Sequence, residues 1–320
     1  MSFFAILFAL LIEQVRPLGN QSLAHDAVRA WVGFIGRSFD TGSSNHAALA
    51  WSLGVLGPAV LASVVYGLLL HAVGWPIALI WNIAVLYLTL GFRQFSHHFT
   101  RIREALDAGD EALARSILAD WKGIEVAELS RSEMIRLVIE HSVLSAHRHV
   151  LGVFTWYSVL AALGLGPAGA VAYRLADYVR QSWKLPGPVP GYGVSAALIG
   201  VSAEAWRVID WLPCRVTALG FAIVGSFEDA IDRWRQHTQR SPRDNDGVIL
   251  AATSGALNLR LGETSASGGM AGASSDDPTD ASTGREPQMG HLAQVVGLVW
   301  RSVVMWMVLL ALLTLAQLLG

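Results

Sequence analysis

Long uncharged runs separated by polar segments dominate the hydrophobic pattern of this chain. Crossing about 30 Å of hydrocarbon as a helix takes roughly 20 apolar residues. Five runs approach or exceed that length, and the last two contain only isolated charges. The pattern therefore predicts membrane-spanning helices. The runs lie at residues 47–73, 77–92, 151–173, 208–225 and 291–319.

The apolar run at residues 2–12 is too short to cross a bilayer by itself. Extended through Glu13, it predicts a tilted span, and the alternative is a helix at the membrane interface. We therefore predict an all-α, polytopic integral membrane protein with four to six transmembrane helices. The sequence also predicts cytoplasmic amphipathic helices between the spans.

The polar segments divide the chain. Residues 264–290 are rich in Gly, Ser, Ala, Thr and Asp, a composition that cannot bury enough apolar surface to fold, and they predict a flexible linker. The predicted organisation is N-terminal membrane helices at 1–92, a cytoplasmic helical insert at 93–149, a central membrane region at 150–225 in which a re-entrant segment can lie, a cytoplasmic segment at 226–263, the linker, and a C-terminal membrane helix at 291–320.

Residues 93–140 are balanced in charge and predict amphipathic helices. A turn is expected at residues 108–110, and Ser130 followed by Glu133 fits a capping box that begins a helix. Helical spacing predicts one buried face formed by Ile102, Leu106, Leu113, Ile117 and Leu118.

A further helix is expected between a proline-rich stretch and Pro213. Prolines at residues 186–190 cannot continue a helix, and apolar residues then recur at helical spacing from 194 to 209. Trp206 and Trp211 suit the headgroup level of an interfacial or re-entrant helix.

The arginines predict an orientation. Basic residues concentrate in residues 13–46, 93–148 and 226–286, whereas the connector at 71–75 and the C-terminal end carry none. The positive-inside rule places the basic segments in the cytoplasm. We expect a multi-pass protein of the bacterial inner (cytoplasmic) membrane, with membrane lipid as a partner and a homo-oligomer as an open alternative.

Composition agrees with this prediction. Charged residues make up 15% of the chain and hydrophobic residues 53%, whereas soluble domains carry about 25% charged residues. The net charge of −2 argues against a nucleic-acid partner. The single cysteine, Cys214, allows neither an internal disulfide nor a cysteine-based zinc site.

Two features that suggest a binding site have simpler explanations. Gly164, Gly166 and Gly169 fit a dinucleotide-binding pattern, but they lie inside an apolar run, where close helix packing explains small residues better. His141, His147 and His149 lack the i, i+3 or i, i+4 spacing of helical metal ligands. We therefore predict no metal site.

Ionisable residues within apolar stretches are costly and usually have partners or a function. Asp210 and Arg215 are such residues, and Arg148 and Arg174 lie in similar positions. One hypothesis is that these four converge on one site whose surplus positive charge binds an anionic ligand. The alternative is that the arginines extend separately to lipid headgroups.

Several stretches resemble the CobD/CbiB family of cobalamin-biosynthesis membrane proteins. The likeness covers roughly residues 1–262 and the last span. It rests on Ile139-Glu140 with Trp156, on the Gly-Pro-Ala-Gly-Ala-Val-Ala-Tyr-Arg run at 166–174, on Asp-Trp-Leu-Pro-Cys-Arg at 210–215, and on Ser241-Pro242 with residues 254–262.

The resemblance implies an ATP-dependent synthase that attaches aminopropanol phosphate to adenosylcobyric acid, with a corrinoid as a ligand. ATP and Mg²⁺ would then be required, and Glu140, Asp177 and Asp210 would be catalytic, with Glu204 as a further nearby acid. Arg148, Arg174 and Arg215 would bind the ligand.

The chain departs from the family pattern at residues 176–179, at Trp206-Arg207 and at Arg148. If these departures mean that the catalytic motifs have degenerated, the protein would have a non-enzymatic role. The AmpE branch, a group of membrane proteins linked to cell-wall signalling and β-lactamase induction, is similar in Arg148 with Trp156 and in residues 209–216. An AmpE-like sensor or regulator is therefore the alternative function.

Overall fold

The structure is a computed structural model of the whole chain, and it describes residues 2–15, 23–122, 129–184, 194–262 and 284–319. Within these ranges the regular elements are helices, apart from an isolated bridge between Leu259 and Arg285. The all-α prediction is therefore confirmed. The chain forms two compact units, the first made of residues 1–94, 147–213 and 306–320 and the second of residues 95–146 and 214–305.

The first unit is built around a long helix without Asp, Glu, Lys or Arg, α3 Ser44–Ala72. Ser43 caps its start by accepting a hydrogen bond from the amide of His46. The turn at Gly74, with φ of 106°, separates it from α4 Trp75–Thr89, which has Pro76 in its first turn. This turn lies within the connector at residues 71–75. The helices of this unit are α1 Ser2–Val15, α2 Leu23–Phe39, α3 Ser44–Ala72, α4 Trp75–Thr89, a π-helical turn His147–Leu151, α8 Gly152–Ala162, α9 Ala168–Lys184 and α10 Ala196–Ile209.

The second unit contains the predicted amphipathic helices. Gly109, with φ of 79°, forms the turn between α5 and α6, and the capping box is confirmed, because Ser130 N donates to Glu133 Oε2 at 2.9 Å while Glu133 N donates to Ser130 Oγ at 3.3 Å. The helices that lie wholly or mostly in this unit are α5 Phe92–Asp107, α6 Glu111–Lys122, α7 Arg131–Ala146, α11 Trp211–Val224, α12 Phe227–Arg240, α13 Asn245–Leu257 and α14 Met289–Leu319.

The predicted buried face is wrong at one residue. Ile102, Leu106, Ile117 and Leu118 are buried, but Leu113 is 44% exposed. Ala114 takes its place in the core, since positions 114, 117 and 118 align more closely on one face. Apolar spacing alone left the edge of that face undefined.

Two predicted spans are interrupted. Residues 151–173 form two helices rather than one, because Gly164 and Gly166 adopt φ of 79° and 57° and Pro167 follows. The run at 208–225 contains a turn at Asp210. The helix that follows this turn, Trp211–Val224, is 14 residues long. A helix of that length reaches about 21 Å, which is less than the hydrocarbon core.

Within the described parts of the chain, two helices are long and apolar enough to cross a membrane, Ser44–Ala72 and Met289–Ala316. The predicted number of four to six spans is not confirmed. The last helix begins at Met289, slightly before the predicted boundary at residue 291. Most of the predicted linker and the proline-rich stretch at 186–190 lie outside the described residues.

Candidate functional site

Three buried polar side chains meet in the first unit. The Tyr173 hydroxyl donates to Oδ1 of Asp210 at 2.8 Å, and Nε2 of His147 lies 2.8 Å from the same oxygen. The tyrosine hydroxyl and His147 Nε2 are 3.2 Å apart. All three residues have 0% exposure, so these hydrogen bonds offset the cost of removing polar groups from water.

Local backbone features position this His–Asp–Tyr group. His147 begins the π-helical turn His147–Leu151, a kind of turn that is frequent at functional sites. Asp210 closes α10, where its amide donates to Trp206 O at 2.8 Å. Gly152 makes room for Tyr173, because a Cβ atom at Gly152 would overlap the tyrosine ring.

Two glycines of the dinucleotide-like pattern serve packing in this unit. A Cβ atom on Gly169 would overlap the backbone of Trp156, so α8 and α9 approach closely at that point. A Cβ atom on Gly166 would overlap the Tyr66 ring. Close packing through small residues, which the sequence predicted for this stretch, is therefore confirmed.

A second group surrounds Asp177 on α9. Its carboxylate accepts from Gln181 Nε2 at 2.8 Å and Arg180 Nη2 at 3.1 Å, and Arg174 Nη1 lies 3.5 Å away. Residues three and four positions apart share a helix face, which brings these side chains together. The Asp177 side chain is 1% exposed, whereas those of Arg174 and Arg180 are 24% and 14% exposed. The guanidinium groups therefore form the outer, partly accessible side of this group.

Electrostatics favour the charged form of Asp177. Burial by itself would raise the pKa of this carboxyl, but the positive charges of Arg148, Arg174 and Arg180 outweigh burial and lower the pKa below its ordinary value. His149 acts weakly in the same direction. The carboxylate thus holds several arginines in one region of the unit.

Trp206 lies against both the His–Asp–Tyr group and the group around Asp177. Its ring lies 5.1 Å from the Tyr173 ring, and Cζ of Arg180 lies 5.0 Å from its centroid. The indole is only 6% exposed. Trp206 is therefore packed inside the unit, and the predicted headgroup position is wrong for this residue, whereas Trp211 is 52% exposed.

The structure divides the predicted site residues between the two units. Arg148, Arg174, Asp177 and Asp210 belong to the first unit, and Asp210 is bonded by His147 and Tyr173. The predicted ligand residue Arg215 and the predicted catalytic residue Glu140 belong to the second.

Arg215 and Glu140 make contacts with other residues of the second unit. Arg215 Nη1 donates to Asn245 Oδ1 at 3.4 Å. Glu140 accepts from the amide of Gly262 at 2.9 Å and lies 3.9 Å from Arg136. Glu204, the further acid, pairs on the surface with Arg207 three residues later.

Sequence reasoning gave no role in a site to Tyr173, Arg180 or Trp206, and considered His147 only as a metal ligand. The i+3 spacing from Asp177 to Arg180 was a signal that could have identified that pair. No local signal joins His147 to Asp210, since 63 positions separate them. Among the described residues, no group of three or more His, Cys, Asp or Glu side chains is placed to hold a metal ion.

The fold and site define an all-helical protein with two long apolar helices and a buried Arg–Asp and His–Asp–Tyr site in its first unit. The family model described as CobD/Cbib protein matches residues 6–299. The chain therefore belongs to the CobD/Cbib family.

Curated relatives agree with this assignment, and each of the three described next carries the name "Cobalamin biosynthesis protein CobD". The protein from Stutzerimonas stutzeri is 27% identical over 319 residues, 96% of each chain. The one from Chromobacterium violaceum is 30% identical over 220 residues, 66% of each chain. The one from Leptospira interrogans is 24% identical over 282 residues, 81% of this chain and 82% of the relative. The search of solved structures found no match.

Proposed function

We propose that this protein acts in cobalamin biosynthesis as a multi-pass protein of the bacterial inner membrane. The proposed reaction joins aminopropanol phosphate to adenosylcobyric acid through an amide bond, with ATP activating the corrinoid carboxylate. The family match over residues 6–299 is the observation that carries the proposal. The comparisons give no support to the AmpE-like role.

The surface of the long helices supports the membrane part of the proposal. In the most apolar window of Ser44–Ala72 only 22% of the residues are buried, and in that of Met289–Ala316 33% are. Core helices of soluble proteins are mostly buried, whereas lipid-facing helices expose apolar side chains. Leu53, Val60 and Leu68 on α3 are 43%, 60% and 63% exposed.

Shorter apolar helices could complete the predicted number of spans. Ser2–Val15, Trp75–Thr89 and Trp211–Val224 are apolar but have fewer than 18 residues. With the two long helices they make five, within the expected four to six. Each would need tilt, local bilayer thinning or flanking residues to match the hydrocarbon thickness.

The arginines around Asp177 support the proposed reaction. Substrates of the proposed reaction carry phosphate groups, and a guanidinium offers a planar set of donors suited to phosphate oxygens. Arg174 and Arg180 are partly exposed, and Asp177 beneath them holds their orientation. No protein residue is assigned to the Mg²⁺ that accompanies ATP.

Complementation tests the proposal. A bacterial strain that lacks the cobinamide-forming step would express the full chain and grow under cobalamin-requiring conditions with cobyric acid supplied. We expect growth with the wild-type chain, loss of growth with Asp177→Asn, and normal growth with the surface variant Glu204→Gln. Protein in the membrane fraction would be quantified for each variant.

Supplying cobinamide instead of cobyric acid provides the control, because it bypasses the tested step. If the wild-type chain accumulates in the membrane and cells grow on cobinamide but not on cobyric acid, the proposed reaction is wrong.

A further inference from the structure

The last helix, α14, contains a single residue of the Asp, Glu, Lys and Arg types, Arg301. Its side chain is exposed. Its Nε atom donates to the carbonyl of Gly297, one turn earlier, at 3.2 Å. Among the described residues no acidic side chain pairs with this guanidinium. Because a charged group without a partner is costly inside hydrocarbon, Arg301 requires contact with water or with an anion.

The burial of α14 changes close to Arg301. Before it, one face of the helix packs on the protein, and Leu292 and Leu298 are both 0% exposed. After it, Leu310 is the only buried side chain among residues 304–316, all of which the structure describes. Apolar side chains between 46% and 58% exposed cover the rest of that part, namely Val304, Val308, Leu309, Leu312, Leu313 and Leu315. A helix that exposes apolar residues in this way suits a lipid environment rather than water.

The segment after Arg301 has the length of one membrane crossing. Residues 302–320 contain no Asp, Glu, Lys or Arg, and the helix continues to Leu319. At about 1.5 Å per residue, residues 302–319 rise about 27 Å, close to the hydrocarbon thickness of about 30 Å. Trp300, which is 37% exposed, is of the residue type enriched at membrane surfaces. These features place Arg301 at the boundary between hydrocarbon and water.

A phospholipid headgroup is the anion that fits this position. A second copy of α14 does not supply one, because residues 289–319 contain no Asp or Glu, and a symmetric pair of these helices would bring like charges together. The surface beside the guanidinium is open, since a Cβ atom added to Gly297 would have nothing within 4 Å. A guanidinium offers planar donors suited to phosphate oxygens, and basic residues next to a span attract anionic lipids of the cytoplasmic leaflet.

We propose that Arg301 binds the phosphate of an anionic phospholipid at the cytoplasmic surface of the membrane. The helix crosses the hydrocarbon with residues 302–319, and residues 289–300 lie outside the hydrocarbon. The cytoplasmic side follows from the basic residues of segment 226–286, which precedes the helix. This inference rests on the proposed membrane location, to which it adds a lipid ligand and the depth of α14.

Native mass spectrometry of the purified full chain in detergent tests the lipid contact. Delipidated protein would be titrated with phosphatidylglycerol and, separately, with phosphatidylethanolamine, whose ammonium group offsets its phosphate. One basic residue beside an anionic surface corresponds to about fivefold in affinity. We expect Arg301→Gln to weaken phosphatidylglycerol binding by about that factor and to change phosphatidylethanolamine binding little. Arg301→Lys should keep most of the binding, and Arg101→Gln, at an exposed arginine of α5, should bind as the wild type does.

Single cysteines in a Cys214→Ser background test the depth of the helix. Gln294 and Leu312 are both exposed, one on each side of Arg301. The variants Gln294→Cys and Leu312→Cys would be treated with a membrane-impermeant maleimide in inverted inner-membrane vesicles, whose cytoplasmic face is outward. We expect Gln294→Cys to be labelled and Leu312→Cys to be labelled only after detergent dissolves the membrane. Protection of both cysteines would overturn the boundary at Arg301.

The outcomes separate this inference from the proposed function. Labelling of Leu312→Cys in intact vesicles would overturn both the inference and the membrane crossing by α14. Equal phosphatidylglycerol binding by the wild type and Arg301→Gln, with Leu312→Cys protected, would overturn the inference alone. If Arg301→Gln does not accumulate, the wild-type chain decides, because the absence of a preference for phosphatidylglycerol over phosphatidylethanolamine contradicts the inference. Growth on cobyric acid tests the proposed reaction independently of each of these results.

Discussion

Asp177 is the residue on which the arrangement of arginines in the first unit depends. It is buried beneath Arg174 and Arg180 and accepts hydrogen bonds from both Arg180 and Gln181. Removing the negative charge would leave partly buried guanidinium groups without a compensating charge, which is more costly than the absence of the whole group.

We predict that Asp177→Asn destabilises the protein by about 3 kcal/mol, measured as the free energy of unfolding in urea in detergent. Glu204→Gln is the control, since its ion pair with Arg207 is exposed and should contribute little. The wild-type protein should also lose stability as the pH falls. The pKa of Asp177 is lowered in the folded protein, so its ionised carboxylate stabilises the fold at pH values above the pKa of an unfolded aspartate, about 3.9. This contribution disappears as the pH falls through the folded pKa.

Asp177→Asn should lack that part of the acid sensitivity. Equal stability of the variant and the wild-type protein at neutral pH would contradict a structural role for the charge of Asp177.

Gly169 tests the close approach of α8 and α9. A Cβ atom there would overlap the backbone of Trp156, which cannot move as a flexible side chain can. We expect Gly169→Ala to lower the unfolding free energy by about 1–3 kcal/mol. Gly200→Ala is the control on α10, because nothing lies within 4 Å of its added Cβ atom; it should be neutral or slightly stabilising. A Gly169→Ala protein as stable as the wild type would show that the two helices can separate without cost.

At the scale of elements, helix ends are decided by local chemistry. Ser130 and Glu133 bond each other's amides at the start of α7, and Asp244 caps α13 by accepting from Gly247 N at 3.0 Å. Asn258, with φ of 52°, ends α13 in the left-handed conformation that asparagine tolerates better than most residues.

Ser130→Ala should reduce the stability of the second unit by about 1 kcal/mol, since it removes the side-chain acceptor for the amide of Glu133. Hydrogen exchange of the first-turn amides of α7 would measure the local effect. Ser116→Ala is a suitable control, because this exposed hydroxyl on α6 bonds only a carbonyl of its own helix among the contacts described. If exchange in α7 were equally fast in both variants, the cap would have no energetic role.

The same capping box predicts a dependence on pH. The bonds from the backbone and side chain of Ser130 lower the pKa of Glu133. The helix start is therefore best stabilised above the pKa of an unfolded glutamate, about 4.3, and this support is lost as the pH falls through the lowered value.

At the scale of the whole molecule, the arginine distribution still predicts that the polar segments face the cytoplasm. Single cysteines introduced as Asp120→Cys and Ser275→Cys should be inaccessible to a membrane-impermeant maleimide in intact cells and labelled after permeabilisation. Cys214→Ser provides the background, and the buried thiol of Cys214 donates to Asn245 O, so serine keeps a donor there. Labelling of either position from outside would overturn the predicted topology.

The sequence by itself determined the helical class, the long apolar helices and several helix ends. These features depend on interactions within a few residues. The hairpin turn at Gly74, the capping box at Ser130 and the buried face around Ile102 and Leu106 all follow from spacing and backbone preferences that the neighbouring residues express locally.

Only the tertiary structure decided which polar residues share a site. It places His147 and Tyr173 on Asp210, whereas Arg215 bonds Asn245 in the second unit. Arg174 and Arg180 pair with Asp177 through i+3 spacing on one helix. The partners of Asp210 and Arg215 depend instead on how distant helices pack, and hydrophobic periodicity carries no information about which polar groups then meet. For the same reason Trp206, which resembles an interfacial tryptophan in sequence, is buried between Tyr173 and Arg180.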